Sequence, residues 1–170
     1  MKLAVLGSNK LVTTTNALLS EIFTGLIQDH VTILSEERPE KDYSYMKDLV
    51  FLFDVEPAIE LRKVGRGIGA WRNEASSLAV DVADVTPGRK YTAIALYVYS
   101  KASEVRYFHV EDERSGYRVF GYIPFQQVEV YNLRSGGKIP FDPPEVKGGA
   151  ELTSLLSLDS LRAFLNSSPS

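Results

Sequence analysis

The chain has no cysteine among its 170 residues. That excludes disulfides, a cysteine nucleophile and any zinc site built on thiolates. Histidine is almost as scarce. His30 and His109 are the only two, too few for a histidine-rich metal centre. No metal and no cofactor is therefore expected. Long hydrophobic runs are missing, and nothing approaches the about 18 apolar residues of a spanning helix. The opening stretch Met1-Lys2-Leu3-Ala4-Val5-Leu6-Gly7 has an apolar segment shorter than a signal peptide requires. A cytoplasmic location without a membrane partner is the expectation. An excess of positive charge is missing too: 19 Lys and Arg stand against 22 Asp and Glu, for a net charge of −3. Proteins that hold duplex DNA by charge are usually basic, so duplex DNA is not an expected partner.

What is present is the make-up of an ordinary globular protein. Hydrophobic residues are 44% and charged residues 24%, which argues against disorder. The length suits one domain, large enough to bury about 70% of the surface its unfolded chain exposes.

Lys2 to Leu6 is a short apolar run ending at Gly7 and predicts a buried strand. The spacing of Ala17, Leu18, Leu19, Ile22, Phe23 and Leu26 predicts a helix from about Thr13 to Gln28, with N-cap oxygens from Thr13-Thr14-Thr15-Asn16. His30 to Ser35 predicts a second strand, so the chain opens strand, loop, helix, strand. That order favours a parallel sheet with a right-handed crossover.

Farther on, Tyr45 to Phe53 reads as a helix, Ala58 to Val64 as a strand, Ile68 to Leu78 as a helix and Ala79 to Val85 as a central strand. Thr86-Pro87-Gly88-Arg89-Lys90 is a turn, because proline presets φ and glycine permits a positive one. Tyr91 to Lys101 reads as a helix. Val105 to Val110, Tyr117 to Ile123 and Gln127 to Tyr131 read as strands, the later ones antiparallel at the edge. Arg134 to Gly149 holds four glycines and three prolines and reads as a loop, followed by an amphipathic helix from Leu152 to Leu165. The expected fold is α/β and Rossmann-like: a mainly parallel sheet of about six strands, flanking helices and an antiparallel edge. Residues 1–135 form the expected ligand-binding domain. Residues 136–170 add a C-terminal loop and helix.

In such a sheet, ligands bind beyond the carboxyl ends of the strands, where strand order switches. Two loops suit that place: Gly7-Ser8-Asn9-Lys10 and Thr86-Pro87-Gly88-Arg89-Lys90. Each puts hydroxyls, a glycine and cations at the start of a predicted helix. Backbone N–H groups and the helix dipole there favour an anion, and Lys or Arg adds charge-assisted hydrogen bonds. A phosphate-containing ligand is the expectation. The standard nucleotide motifs are absent. Gly65-Arg66-Gly67-Ile68-Gly69 lacks the dinucleotide spacing, and Gly136-Gly137-Lys138 lacks the rest of a P-loop.

Val80-Asp81-Val82-Ala83-Asp84-Val85-Thr86-Pro87-Gly88-Arg89-Lys90 resembles the strand-turn signature of the CRISPR-associated Rossmann-fold (CARF) domains. The Leu3–Ser8 opening, the Val105–Val110 strand and the stretch from Ile123-Pro124 to Tyr131-Asn132 are similar to theirs in order and spacing. The resemblance covers about residues 1–135. It implies a homodimer that binds a cyclic oligoadenylate, the second messenger of type III CRISPR systems, across its interface. The same two loops would contact the ligand. After Leu133 only 37 residues remain, and no Arg-x-x-x-x-His nuclease motif occurs. The stand-alone ring nucleases, which cut and inactivate the messenger, are therefore the expected kind. The alternative is a sensor domain that binds the messenger without cutting it and regulates an effector. A third reading is an unrelated phosphate-binding α/β protein.

Cleavage would need no metal, because the ribose 2′-hydroxyl is the nucleophile. Ser8 would position near the scissile phosphate, Lys90 or Lys10 would stabilise its developing charge and Arg89 would anchor a neighbouring phosphate, with Ser8 and Lys90 the first candidates for catalysis. Gly7, Asn9, Lys10, Thr86, Pro87, Gly88, Arg89 and Tyr91 would line the ligand. Arg66, Lys138 or Lys147 would form a rim or lid. The remaining conspicuous residues have plainer readings. His109 is expected to be a hydrogen-bonded structural histidine and His30 an inert one. Asp81 and Asp84 together offer two carboxylates for magnesium, but Asp84 is better placed to accept backbone N–H bonds in the turn. Trp71 and the aromatics from Tyr91 to Tyr99 are expected in the core or an interface.

Overall fold

The computed structural model describes residues 1–8, 11–26, 29–37, 47, 50, 56–110 and 128–140. The elements are β1 (Lys2–Leu6), α1 (Leu11–Phe23), β2 (His30–Ser35), β3 (Ala58–Lys63), α2 (Ile68–Ser77), β4 (Val82–Asp84), α3 (Lys90–Tyr99), β5 (Glu104–Val110), β6 (Val128–Asn132) and β7 (Gly137–Ile139). The described residues form one seven-stranded sheet in the order β3-β2-β1-β4-β5-β6-β7. Strands β1 to β5 pair in parallel, and β6 and β7 add an antiparallel edge. The mixed α/β architecture read from the sequence is therefore present, with seven mostly parallel strands among the described residues.

Strand composition explains the layers. Leu3, Ala4, Val5 and Leu6 are all buried, and so are Val31, Ile33 and Leu34. A strand apolar on both faces must be covered on both. Helix α1 covers one face with Ala17, Leu18, Leu19 and Ile22. The other face packs Ala4, Leu6, Leu34, Ala83, Val85 and Val105 against Trp71 and Ala75 of α2 and Ala95 and Leu96 of α3. Each large aliphatic side chain so buried contributes about 1.5–3 kcal/mol.

The direction of travel reverses at β1. The chain moves from β1 through β2 to β3, then returns to place β4 on β1's other side. Because parallel crossovers are right-handed, reversing direction puts α1 on one face and α3 on the other.

The element boundaries bring corrections. Helix α1 starts at Leu11 and stops at Phe23, not at Gln28. Gly25 ends it with φ 81°, Gly25 N–H donating to Ile22 and Leu26 N–H to Glu21. That is a Schellman closure, which glycine makes without steric cost. Thr14, Thr15 and Asn16 consequently lie inside the helix, buried, rather than at its cap. Strand β4 is three residues long, shorter than the expected Ala79 to Val85. The stretch expected to be loop after Arg134 contains β7. Gly136, at φ 75°, donates its N–H to Asn132 O and closes a hairpin. The expected strand from Tyr117 to Ile123, the helix from Leu152 to Leu165 and nearly all of the helix from Tyr45 to Phe53 lie outside the described residues. No described helix is long and apolar enough to cross a membrane.

Candidate functional site

The switch in strand order falls between β1 and β4. Beyond their carboxyl ends lie Gly7-Ser8 on one side and Thr86–Lys90 on the other. Gly88 makes the approach possible. A Cβ there would lie 2.1 Å from Leu6 Cδ1, 3.1 Å from Leu6 Cβ and 2.8 Å from Thr92 Oγ1. Only a residue without a side chain lets the turn rest on the last residue of β1. Gly7 and Ser8, which follow Leu6 directly, therefore lie beside the Thr86–Lys90 turn.

The turn is pinned from three directions. Asp84 Oδ1 accepts the Thr86 N–H at 2.9 Å. Thr86 Oγ1 accepts the Phe108 N–H at 2.8 Å, which ties the turn to β5. Gly88 N–H closes it on Val85 O at 3.3 Å. Asp84 thus serves the turn as the sequence suggested. It does not pair with Asp81. Asp81 sits exposed at the other end of β4, accepting the Lys2 N–H at 2.8 Å, while Asp84 is fully buried.

Helix α3 begins on this turn with Arg89 as its N-cap and no side-chain capping bond. Its first-turn N–H groups have no intrahelical acceptors, and its dipole is positive at this end. Lys90 is exposed and makes no ion pair with any described residue. Arg89 is exposed but engaged, its Nε 3.1 Å from Glu36 Oε1. Arg66 Nε approaches the other Glu36 oxygen at 3.9 Å, and Arg66 also pairs with Glu37. Tyr91 is half-buried beside the same Glu36. Partial burial and that neighbouring carboxylate push its phenol pKa up. Glu36 is therefore a junction that draws Arg66, Arg89 and Tyr91 together, its side chain only 15% exposed. Sequence reasoning missed it. The one available signal was its place, the first residue after β2 on the carboxyl edge.

Ser8 is half-buried, and its backbone N–H donates to Thr14 Oγ1 at 3.0 Å. Asn9, Lys10 and Lys147 lie outside the described residues. Lys138 is on β7, the outermost strand, where it pairs with Glu129 at 2.6 Å; the sheet order does not bring it to the two loops. His109 departs from expectation. It is exposed on β5 and stacks on Tyr107 with ring centroids 6.3 Å apart. Strand alternation turns it to the solvent side, opposite Glu129 of β6. His30 lies near Glu60 at 3.8 Å and beside the Thr32 hydroxyl. Trp71 is a core residue, 1% exposed, and donates its indole N–H to Gly65 O at 2.9 Å.

Beneath the turn is a second feature the sequence did not suggest. Arg106 of β5 donates from one guanidinium nitrogen to Glu21 Oε2 at 2.6 Å and to Thr24 Oγ1 at 2.9 Å. From the other it donates to Glu104 Oε2 at 2.8 Å. Register puts Val5, Asp84 and Arg106 side by side on the face under α1. Residue types alone gave no hint of it, because Glu21 and Arg106 are 85 residues apart.

With these features the carboxyl edge of the sheet can hold an anion between two loops, with cations at its rim. No family model, no curated protein and no solved structure matches this chain.

Proposed function

We propose that this protein binds a cyclic oligoadenylate at the β1/β4 switch point and cleaves it without a metal. The reading rests on one juxtaposition. Gly7-Ser8 and Thr86–Lys90, the loops whose sequences resemble the CARF pattern, meet at the switch point, where α3 offers an uncapped N-terminus beside Lys90. A phosphodiester there would accept hydrogen bonds from backbone N–H groups and from Lys90.

The chemistry is a transesterification. The ribose 2′-oxygen attacks the adjacent phosphorus, the bond to the 5′-oxygen breaks, and the 2′-proton leaves as the 5′-oxygen gains one. The products are linear, with a 2′,3′-cyclic phosphate and a 5′-hydroxyl. Ser8 positions the reacting ribose and phosphate, and Lys90 stabilises the charge on the phosphorane. Two copies of the chain about a two-fold axis would each contact half of an even-membered ring. Cyclic tetra-adenylate is the ligand of choice. Destroying it would end the antiviral signal, a role suited to a cytoplasmic protein.

The test is a single-turnover incubation with radiolabelled cyclic tetra-adenylate in EDTA, products resolved by chromatography. Linear products support the reading. Intact ligand that stays with the protein would instead identify a sensor. One observation favours that second reading: Arg89 is held by Glu36 and so is committed to structure as well as to ligand. Absence of both cutting and binding would refute the assignment altogether.

A further inference from the structure

Three buried groups under the β4–α3 turn each leave a polar atom unmatched: Glu21 Oε1, Asp84 Oδ2 and Arg106 Nε. Two of these orphans are carboxylate oxygens of fully buried side chains. Glu21 has its other oxygen on Arg106, and Asp84 has its other oxygen on the Thr86 N–H. Both carboxyl groups converge on Arg106: Glu21 accepts from its guanidinium, and Asp84 is its register neighbour on the face under α1. Two carboxylates cannot bond to each other, but a carboxylic acid and a carboxylate can, and one proton satisfies both orphan oxygens.

We propose that Glu21 and Asp84 share one proton, balanced by Arg106, and that this pair holds the floor of the switch-point site neutral so that anion binding above it is linked to keeping that proton. The linkage rests on the anion-binding reading above; the shared proton does not.

Glu21 is the member that carries the proton. It is fully buried, and burial, then Asp84's charge and hydrogen bond, push its carboxyl well above the usual range, against the pull of Arg106. Asp84 is also raised by burial, but it is eased back by bonds from Glu21 and Thr86 and by Arg106's charge. With Glu21 neutral, Asp84 negative and Arg106 positive, the three sum to zero. The other charged or polar groups facing the pair are Glu104 on β5, which takes Arg106's second nitrogen, and Thr24 at the end of α1. Loss of the proton would set a second buried negative charge next to the residue that pins Thr86. That charge would repel a phosphate in the same low-dielectric neighbourhood. It would also loosen the turn that presents Arg89 and Lys90.

The decisive variant is Glu21→Gln, because its amide donates to Asp84 Oδ2 and accepts from Arg106 as the protonated acid does. A first experiment needs no ligand. The side-chain carboxyl carbon of Glu21 is followed by NMR through a pH titration, assigned by its loss in E21Q. The expected result is an acid shift that persists at pH 7. A carboxylate shift at pH 7 overturns the shared proton.

A second experiment titrates tripolyphosphate and cyclic tetra-adenylate into both proteins across pH. Wild-type affinity should stay level while the Glu21 carbon reads acid. It should then weaken by up to about tenfold per pH unit once that carbon reads carboxylate. E21Q should stay level throughout. If E21Q declines in step with wild type, the linkage is overturned. If neither anion binds at any pH, the linkage falls together with the function reading, and the NMR titration still decides the proton. Glu21→Ala separates packing from protonation: it should weaken binding at every pH, and a level wild-type-like profile in that variant would refute a positioning role.

Discussion

Replacing Gly88 with alanine tests the close approach on which the site is built. The new Cβ would lie 2.1 Å from Leu6 Cδ1 and 2.8 Å from Thr92 Oγ1. Carbon atoms pack best at about 3.5–4.0 Å, so the leucine methyl or the turn must move by about 1.5 Å. Leu6 is 1% exposed and has no room to rotate freely, and the Thr92 hydroxyl is bonded to Arg89 O at 2.9 Å. Overpacking of this kind costs about 1–3 kcal/mol. For a chain of this length each kcal/mol lowers the melting temperature by about 2–4 °C. Thermal and urea unfolding of Gly88→Ala should show that loss. Leu6→Ala alone should cost about 2–5 kcal/mol by opening a cavity. The double variant should cost clearly less than the two together, by at least about 0.5 kcal/mol, because the alanine methyl occupies space the leucine vacates. Gly69→Ala is the control. It lies in the first turn of α2 with nothing within 4 Å of a new Cβ, and it should be neutral or slightly stabilising. A Gly88→Ala protein as stable as wild type, or strict additivity in the double variant, would refute the close approach. It would refute with it the argument that the two loops form one site.

Lys90→Ala should weaken cyclic tetra-adenylate binding and cutting together by about 10- to 100-fold, the loss of one charge-assisted hydrogen bond, as read by filter-binding titration. Unchanged affinity would remove its assigned contact. Ser8→Ala should slow single-turnover cutting more than it weakens binding, and an equal rate would exclude it from the mechanism. Arg106→Met should destabilise the fold by about 3–5 kcal/mol in urea unfolding, because Glu104 and the Glu21–Asp84 pair lose their shared cation; a loss under about 1 kcal/mol would show the network to be dispensable. Sedimentation at micromolar concentration should give a dimer, and a strict monomer would defeat a site shared across a two-fold axis.

Local chemistry made several parts of this protein legible in its sequence. The apolar runs at Leu3–Leu6 and Val31–Leu34 announce strands buried on both faces, and with the helical spacing of Ala17 to Ile22 they imply a parallel α/β sheet. The Thr86–Lys90 turn was readable because proline fixes φ and glycine relaxes the backbone beside it, although Gly88 takes no positive φ and is needed for its missing side chain instead. Gly25 was not legible as a helix stop, because the apolar spacing runs on to Leu26. His109 shows the limit of that logic. A histidine between Phe108 and Val110 looks buried, yet strand alternation turns it outward, and which face of β5 is wet depends on α1.

What only the tertiary structure decided is pairing between distant residues. Strand order placed β4 beside β1 and so made neighbours of Gly88 and Leu6, 82 residues apart. The same register set Asp84 next to Arg106, and the crossing of α1 over that face brought Glu21 down onto Arg106. Glu36 became the junction of Arg66, Arg89 and Tyr91 only because three loops end on one edge of the sheet. Patterning sets which residues must be buried, since apolar surface leaves water wherever it can. It does not set which buried charge meets which, because that depends on chain topology, and a carboxyl group's need for a proton or a cation arises only once its partner and its solvent are known.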